Sequence, residues 1–210
     1  MGFYEKNRNK EKALQTALEG VKKGEGRKID LYEYLFKHYQ KSKDHENAMK
    51  YLKKIFQDKL TLIAYKSLIA FSNNKESDAQ WALSCLKKHS MRDTIAKIDY
   101  YEKRYDLVLK YVMSKYRNSY FDIFDRRDEL ANKLKEQYPY EIIEFYKRKV
   151  EKVISRVNKK GYHAATDYIK KIKHIYCAIL KEKNVYEKYI SALREQHAKR
   201  PAFLDAIKNL

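Results

Sequence analysis

The sequence predicts an all-α fold in which antiparallel helix hairpins stack into a superhelical array, and three observations support this prediction. The chain has 210 residues, of which 44% are hydrophobic, enough to bury a sizeable core. It contains only 5 Gly and 2 Pro, although strands require frequent turns that favour both residues. An apolar pattern with the period of a helix also recurs along the chain. Together these features favour helices over strands.

The recurring pattern is a triplet of one small and two larger apolar residues, with spacings of four and three. Such spacings place all three side chains on one face of a helix. The triplet occurs at Ala48, Leu52 and Ile55, at Ala79, Leu83 and Leu86, and at Ala165, Ile169 and Ile172. Val108 and Val112 form a weaker copy. The steps from Ala48 to Ala79 and from Ala79 to Val108 are about 30 residues, which is typical of helical repeats.

The clearest single unit runs from about Ile29 to Leu62. Its apolar positions are Tyr32, Leu35, Phe36 and Tyr39 in the first helix, then Ala48, Leu52 and Ile55 in the second, with Leu60 near the end. These spacings resemble a tetratricopeptide repeat, a helix pair of about 34 residues. Phe36 stands where such repeats usually have Gly, and Leu60 replaces the usual Pro. We therefore predict a tetratricopeptide-like array that forms a single helical-repeat domain over residues 1–210.

Further helices follow from the same periodicity. They are predicted at about Phe3–Lys23, Thr61–Phe71, Arg92–Lys103, Asp122–Gln137, Tyr140–Lys159, Tyr162–Glu182 and Val185–His197, with a short terminal helix from Pro201. Residues 24–26 and 158–161 are predicted corners, because each contains a glycine that can end or begin a helix. The polar gap at 115–119 is the expected boundary between two sub-arrays, 1–117 and 118–210.

The charge balance allows two interpretations. Lys and Arg number 47 against 28 Asp and Glu, a formal net charge of +19. A field of this size attracts polyanions such as nucleic acid, an acidic protein surface or an anionic membrane. A lysine-rich composition also arises from biased base composition in a genome.

The cysteine content and hydropathy predict a cytoplasmic protein. Cys85 and Cys177 are the only cysteines, and each lies among apolar residues, as free cysteines do in reducing compartments. No stretch approaches the roughly 18–20 apolar residues of a membrane span. No apolar segment of a signal peptide follows the N-terminus.

The C-terminal half adds a family resemblance. It is carried by YPYEIIEFY at 138–146, NKKGYHAA at 158–165, YIKKI at 168–172 and YISALREQHAKRPAF at 189–203. In this order the segments resemble the helical C-terminal region of bacterial SWIM zinc-finger proteins over roughly residues 125–210. The family's zinc module has a Cys-x-Cys pair followed by Cys-x-His, which supplies a tetrahedral site. This chain contains neither motif, so zinc binding is not carried over. The resemblance implies either the helical part of a longer protein or a stand-alone relative without the module.

Motifs of catalysis and cofactor binding are not found in the sequence. There is no GxxxxGK, GxGxxG, GxSxG or HExxH order. His174 and Cys177 stand at i and i+3 and would supply two metal ligands, but no acid or His nearby suggests a third, so a buried Cys beside a surface His is favoured. We therefore expect no catalytic residue, no metal and no cofactor.

One charged surface is a candidate site. On the predicted helix Tyr140–Lys159, the buried stripe is expected to contain Ile143, Tyr146, Val150, Val153, Ile154 and Val157. A basic stripe is expected to face away from it and to contain the possible polyanion-binding residues Lys149, Lys152, Arg156, Lys159 and Lys160. Glu144 and Glu151 dilute this field, and a solvated charged face explains the same residues.

The sequence thus supports two functions of different classes. The preferred hypothesis is a non-enzymatic scaffold that binds a protein partner or another domain of a longer chain, because the repeated helix has no chemistry attached. The alternative is a nucleic-acid-binding accessory domain that acts through the basic surface. Neither hypothesis involves a membrane partner.

Overall fold

A computed structural model describes residues 10–114 and 126–210. All regular elements within these two ranges are helical, so the all-α prediction is confirmed. The α-helices are α1 (Lys10–Lys23), α2 (Ile29–Lys41), α3 (His45–Lys59), α4 (Leu62–Phe71), α5 (Lys75–Lys88), α6 (Arg92–Tyr101), α7 (Tyr105–Met113), α8 (Arg127–Leu134), α9 (Pro139–Ile154), α10 (Lys159–His174), α11 (Lys183–Gln196) and α12 (Pro201–Ala206), with a π-helical turn at Ile175–Ile179.

The chain divides into two compact units, Met1–Ile98 and Asp99–Leu210. The boundary between sub-arrays that we expected at 115–119 lies outside the described residues, as do residues 3–9 of the first predicted helix and residues 122–125 of the helix predicted from Asp122. None of the helices that the structure describes is long and apolar enough to cross a membrane.

Polar side chains begin several of the helices. Asp44, Thr61, Asn74 and Asn158 each accept a hydrogen bond from the backbone N–H three residues on, at 2.7–3.3 Å. This bond satisfies one of the four amides that a helix start leaves without a partner. Leu60 ends α3 in the left-handed conformation, with φ 45°. Leu60, which stands where the predicted tetratricopeptide-like pattern would have Pro, therefore terminates the helix.

In the first unit, α1 to α5 pack on their neighbours in sequence. Leu52, Ile55 and Leu86 of the predicted triplets are buried in one core cluster, and Ala48 is also buried. Ala79 and Leu83 are only partly buried and pack against that cluster. Phe36, at the position where a tetratricopeptide repeat usually has Gly, places its ring edge-on to Phe71 of α4, with 5.4 Å between centroids. The Phe36 ring therefore packs against α4.

In the second unit, α9 and α10 form the largest helix pair. Ile143, Tyr146, Val150, Val153 and Ile154 are buried as predicted, and so are Val108, Val112, Ala165, Ile169 and Ile172.

Val157 is the exception, because it is 63% exposed, and its predicted place in the buried stripe is wrong. The helix ends at Ile154 because Asn158 must adopt extended backbone, φ −143° and ψ 161°, to cap α10. The corner therefore occupies residues 155–158. Val157 lies in it with φ 49°.

Candidate binding groove

A groove of about 850 Å³ lies along α3 in the first unit, within the size range of pockets that hold small ligands. Glu46, Lys50, Lys53 and Gln57 recur at spacings of four, three and four, so they form one stripe of α3 along its wall. Trp81, on α5, lines it as well. Because the opposite face of α3 is buried in the core, the stripe faces the groove.

Lys53 and Asp78 connect α3 to α5 beside this groove. The Lys53 ammonium lies 2.7 Å from Asp78 Oδ1, and the Ser72 hydroxyl donates to Asp78 Oδ2 at 2.6 Å. Burial raises the pKa of Asp78, but the hydrogen bonds from Lys53 and Ser72 and the positive charge of Lys53 outweigh it, so the pKa lies below its ordinary value. Asp78 is therefore a carboxylate at neutral pH.

Trp81 is the only tryptophan in the sequence. Its indole is half-buried against the core. The Lys53 ammonium lies over the indole, 5.1 Å from its centroid, and the Phe56 ring packs against it at 5.8 Å and a tilt of 53°. The remaining exposed part of the indole is an apolar contact surface in the groove.

Two further lysines in the groove carry charge that the described residues do not neutralise. Lys50 and Lys54 are exposed, and neither forms an ion pair within residues 10–114 and 126–210. Lys50 lies 5.9 Å from the centroid of the Tyr51 ring. Both ammonium groups are therefore available to an anionic ligand.

His45 is the first residue of α3 and lines the end of the groove next to the N-terminus of that helix. Its ring stacks on Phe71 with 4.6 Å between centroids and 7° between planes. Its Nε2 lies 3.0 Å from the carbonyl oxygen of Phe71, and its Nδ1 lies 3.4 Å from the side-chain nitrogen of Asn73. Because a carbonyl only accepts, Nε2 is the donor in the first bond. These contacts hold the start of α3 against the end of α4.

No match to this chain was found among protein-family models, curated proteins or solved structures. The groove must therefore be interpreted from its own residues.

Of the side chains that the structure describes, no three His, Cys, Asp or Glu are grouped so as to hold a metal ion. His174 is exposed, and Cys177, a free thiol in the π-helical turn, is half-buried. The groove itself combines ammonium groups, a methionine and an indole. Such groups offer positive charge and apolar contact surface.

The predicted basic stripe in the second unit is not a single exposed surface. Lys149 is only 6% exposed, so the prediction that it faces away from the core is wrong. Its ammonium lies 3.7 Å from Asp128 Oδ1 of α8 and 5.2 Å from the centroid of the Phe145 ring. The buried arc of α9 is wide because α8 and α10 both pack on this helix, and position 149 falls inside it.

The other members of the stripe are more accessible. Lys152 and Arg156 are half-buried, whereas Lys159 and Lys160 are exposed in the first turn of α10. Lys152 lies near the end of α9, Arg156 in the corner at residues 155–158, and Lys159 and Lys160 at the start of α10.

A polar cluster lies beside Lys149, and sequence analysis did not identify it. The Tyr168 hydroxyl donates to Asp128 Oδ2 at 2.6 Å. Tyr146 stacks on Tyr168 at 5.8 Å, and the Lys171 ammonium lies 5.1 Å from both ring centroids. The Tyr146 hydroxyl is buried without a hydrogen-bond partner among the described residues. Burial, then the charge of Asp128, raises the pKa of Tyr146.

Proposed function

We propose that this chain is a non-enzymatic helical-repeat scaffold that binds another protein, or another domain of a longer chain, in the groove along α3. The observation that carries the proposal is that Lys50 and Lys54, whose ammonium groups form no ion pair with the described residues, line the same groove as the only tryptophan. Protein-binding surfaces combine an aromatic anchor with a polar rim in this way.

The proposal includes a tetratricopeptide-like superhelix and the resemblance to the helical region of SWIM zinc-finger proteins. The superhelix is supported by the packing of α1 to α5, each on its neighbours in sequence. The family resemblance is supported by the segments at 138–203. The resemblance implies either the helical part of a longer protein, whose other domain is then the partner, or a stand-alone relative, whose partner is then another protein. The free thiols of Cys85 and Cys177 fit a cytoplasmic location.

Site-specific photo-crosslinking tests the scaffold function. A photoreactive amino acid at Gln57, which is exposed in the groove, is activated in extract of the source cells. The same amino acid at Lys37, which is exposed on α2 outside the groove, is the matched control. We expect a discrete adduct from position 57 that is lost when Trp81→Ala is added. No adduct from position 57, or the same adducts from both positions, contradicts the scaffold function proposed for this groove.

The second candidate function is nucleic-acid binding through Lys152, Arg156, Lys159 and Lys160. It is favoured by the exposure of Lys159 and Lys160, three and four residues after Arg156. Binding to a mixed-sequence oligonucleotide should then weaken steeply with salt. It should also weaken in the variant Lys159→Glu/Lys160→Glu, but not in the equally charged control Lys188→Glu/Lys199→Glu, whose lysines are exposed elsewhere in the same unit. Equal loss in both variants would mean that net charge alone attracts the oligonucleotide.

A further inference from the structure

The charge of the groove restricts the class of partner that it accepts. Lys50, Lys53 and Lys54 contribute three ammonium groups, while Glu46 is the one carboxylate among the groove's described lining residues. Asp78 neutralises Lys53, which leaves Lys50 and Lys54 to attract carboxylates or phosphates.

The surroundings of Trp81 decide between these two anions. Nucleic-acid grooves use an aromatic ring as a platform on which a base stacks face to face. Here the Lys53 ammonium lies over the indole, held there by its ion pair with Asp78, and Phe56 packs against the same indole. A stacking base would have to displace Lys53 from Asp78. An aliphatic side chain needs only contact with the exposed part of the indole and leaves that ion pair intact.

A second copy of this chain does not fit the groove. The chain carries a net charge of +19, so two copies repel each other, and a surface rich in lysine opposes contact further. The complementary partner is acidic.

Resting on the proposed scaffold function, we propose that the groove binds an acidic peptide segment of another protein. The segment places carboxylates on Lys50 and Lys54 and one aliphatic side chain against Trp81. Ion pairs at this exposed site contribute modestly, and the aliphatic contact supplies the apolar burial.

Tryptophan fluorescence tests this inference directly, because Trp81 is the only tryptophan and excitation at the red edge of the indole absorption band leaves the 20 tyrosines unexcited. The probe is a capped peptide in which one leucine is flanked on both sides by glutamates, titrated into the full chain at low salt. We expect a saturable blue shift, since the leucine removes water from the indole. A peptide with alanine in place of the leucine should bind more weakly, and one with lysines in place of the glutamates should cause no shift.

Paired variants locate the charge contribution. Lys50→Gln/Lys54→Gln should weaken peptide binding about three- to tenfold, from the loss of two exposed ion pairs. The control Lys37→Gln/Lys87→Gln removes the same charge from exposed positions of α2 and α5 outside the groove. It should change binding less than about twofold, because distant charges are screened.

Several results would overturn the inference. With the peptides, these results are no emission shift with the acidic peptide, or equal binding of the acidic and lysine peptides. With the variants, the result is an equal loss of peptide affinity in the two double variants. The inference also fails if a single-stranded oligonucleotide binds at Trp81 in place of the peptide, or if self-association of the chain alone shifts the emission. An adduct from position 57 without an effect of the acidic peptide removes the acidic class and leaves the scaffold function intact. Peptide binding without any cellular adduct supports the preference of the groove for acidic segments and contradicts the proposed scaffold function.

Discussion

The Lys53 ammonium lies 2.7 Å from Asp78 Oδ1, and this ion pair joins α3 to α5 beside the groove. The Asp78 side chain is only 11% exposed, and its other oxygen accepts from Ser72. The pair also holds Lys53 over the Trp81 indole. The two residues therefore connect the stability of the first unit to the shape of its groove.

Replacing Asp78 should destabilise the first unit. Asp78→Ala leaves Lys53 and Ser72 without their partner, and the loss of a charged hydrogen-bonding group of this kind costs about 1–3 kcal/mol. Urea unfolding followed by circular dichroism measures the change. The control is Glu33→Ala, which breaks the more exposed ion pair with Lys59 and should cost less than about 1 kcal/mol. Equal costs in the two variants would show that the Lys53–Asp78 pair contributes no more than a surface pair.

The same pair should make stability depend on pH in the acid range. The hydrogen bonds and charge around Asp78 hold its pKa in the folded state below the ordinary value of 3.8, so the unfolded chain takes up its proton first. The contribution is therefore fully present above about pH 5 and is lost as the pH falls through 3.8 and then through the folded-state pKa. We expect the difference in unfolding free energy between the native chain and Asp78→Asn to be constant near neutrality and to narrow below about pH 4. A difference that widens on acidification would contradict this sign.

The sequence predicted helices well because helical periodicity is a local property. The buried residues of α9 other than Val157, and the triplet at Ala165, Ile169 and Ile172, follow directly from their spacing. The prediction that Val157 is buried was wrong because the next helix needs Asn158 as its cap, and that requirement ends α9 early.

The candidate site was less predictable, because it depends on which helices become neighbours. Lys149 has the spacing of a surface residue, but α8 covers it, and its place beside Asp128 becomes evident only when those two helices are packed. The groove likewise needs α5 to bring Trp81 beside α3. Sequence analysis did not single out the lysines at 50, 53 and 54, because only the folded chain shows that they line one groove with the only tryptophan.

Two tyrosines of the second unit should respond oppositely to loss of the hydroxyl. Tyr168→Phe removes the donor that Asp128 accepts from at 2.6 Å, and it should lower the unfolding free energy by about 1–3 kcal/mol. Tyr146→Phe removes a buried hydroxyl that has no hydrogen-bond partner among the described residues. It should leave stability unchanged or raise it by about 1 kcal/mol, because an unsatisfied polar group is costly to bury. Parallel urea titrations compare the variants, and equal destabilisation would mean that the Tyr146 hydroxyl is satisfied in solution.

Lys149 should be a determinant of stability. Lys149→Glu places a carboxylate in a buried position beside Asp128, and breaking a buried charge pair costs about 3–5 kcal/mol. Arg148→Glu makes the same change of charge one residue earlier, at an exposed position of α9, and should change stability by less than about 0.5 kcal/mol. The midpoint of thermal unfolding, measured by circular dichroism, separates the two variants. If Arg148→Glu and Lys149→Glu unfold at the same temperature, Lys149 is solvated, and the basic stripe that the spacing predicts is restored as a surface for polyanions.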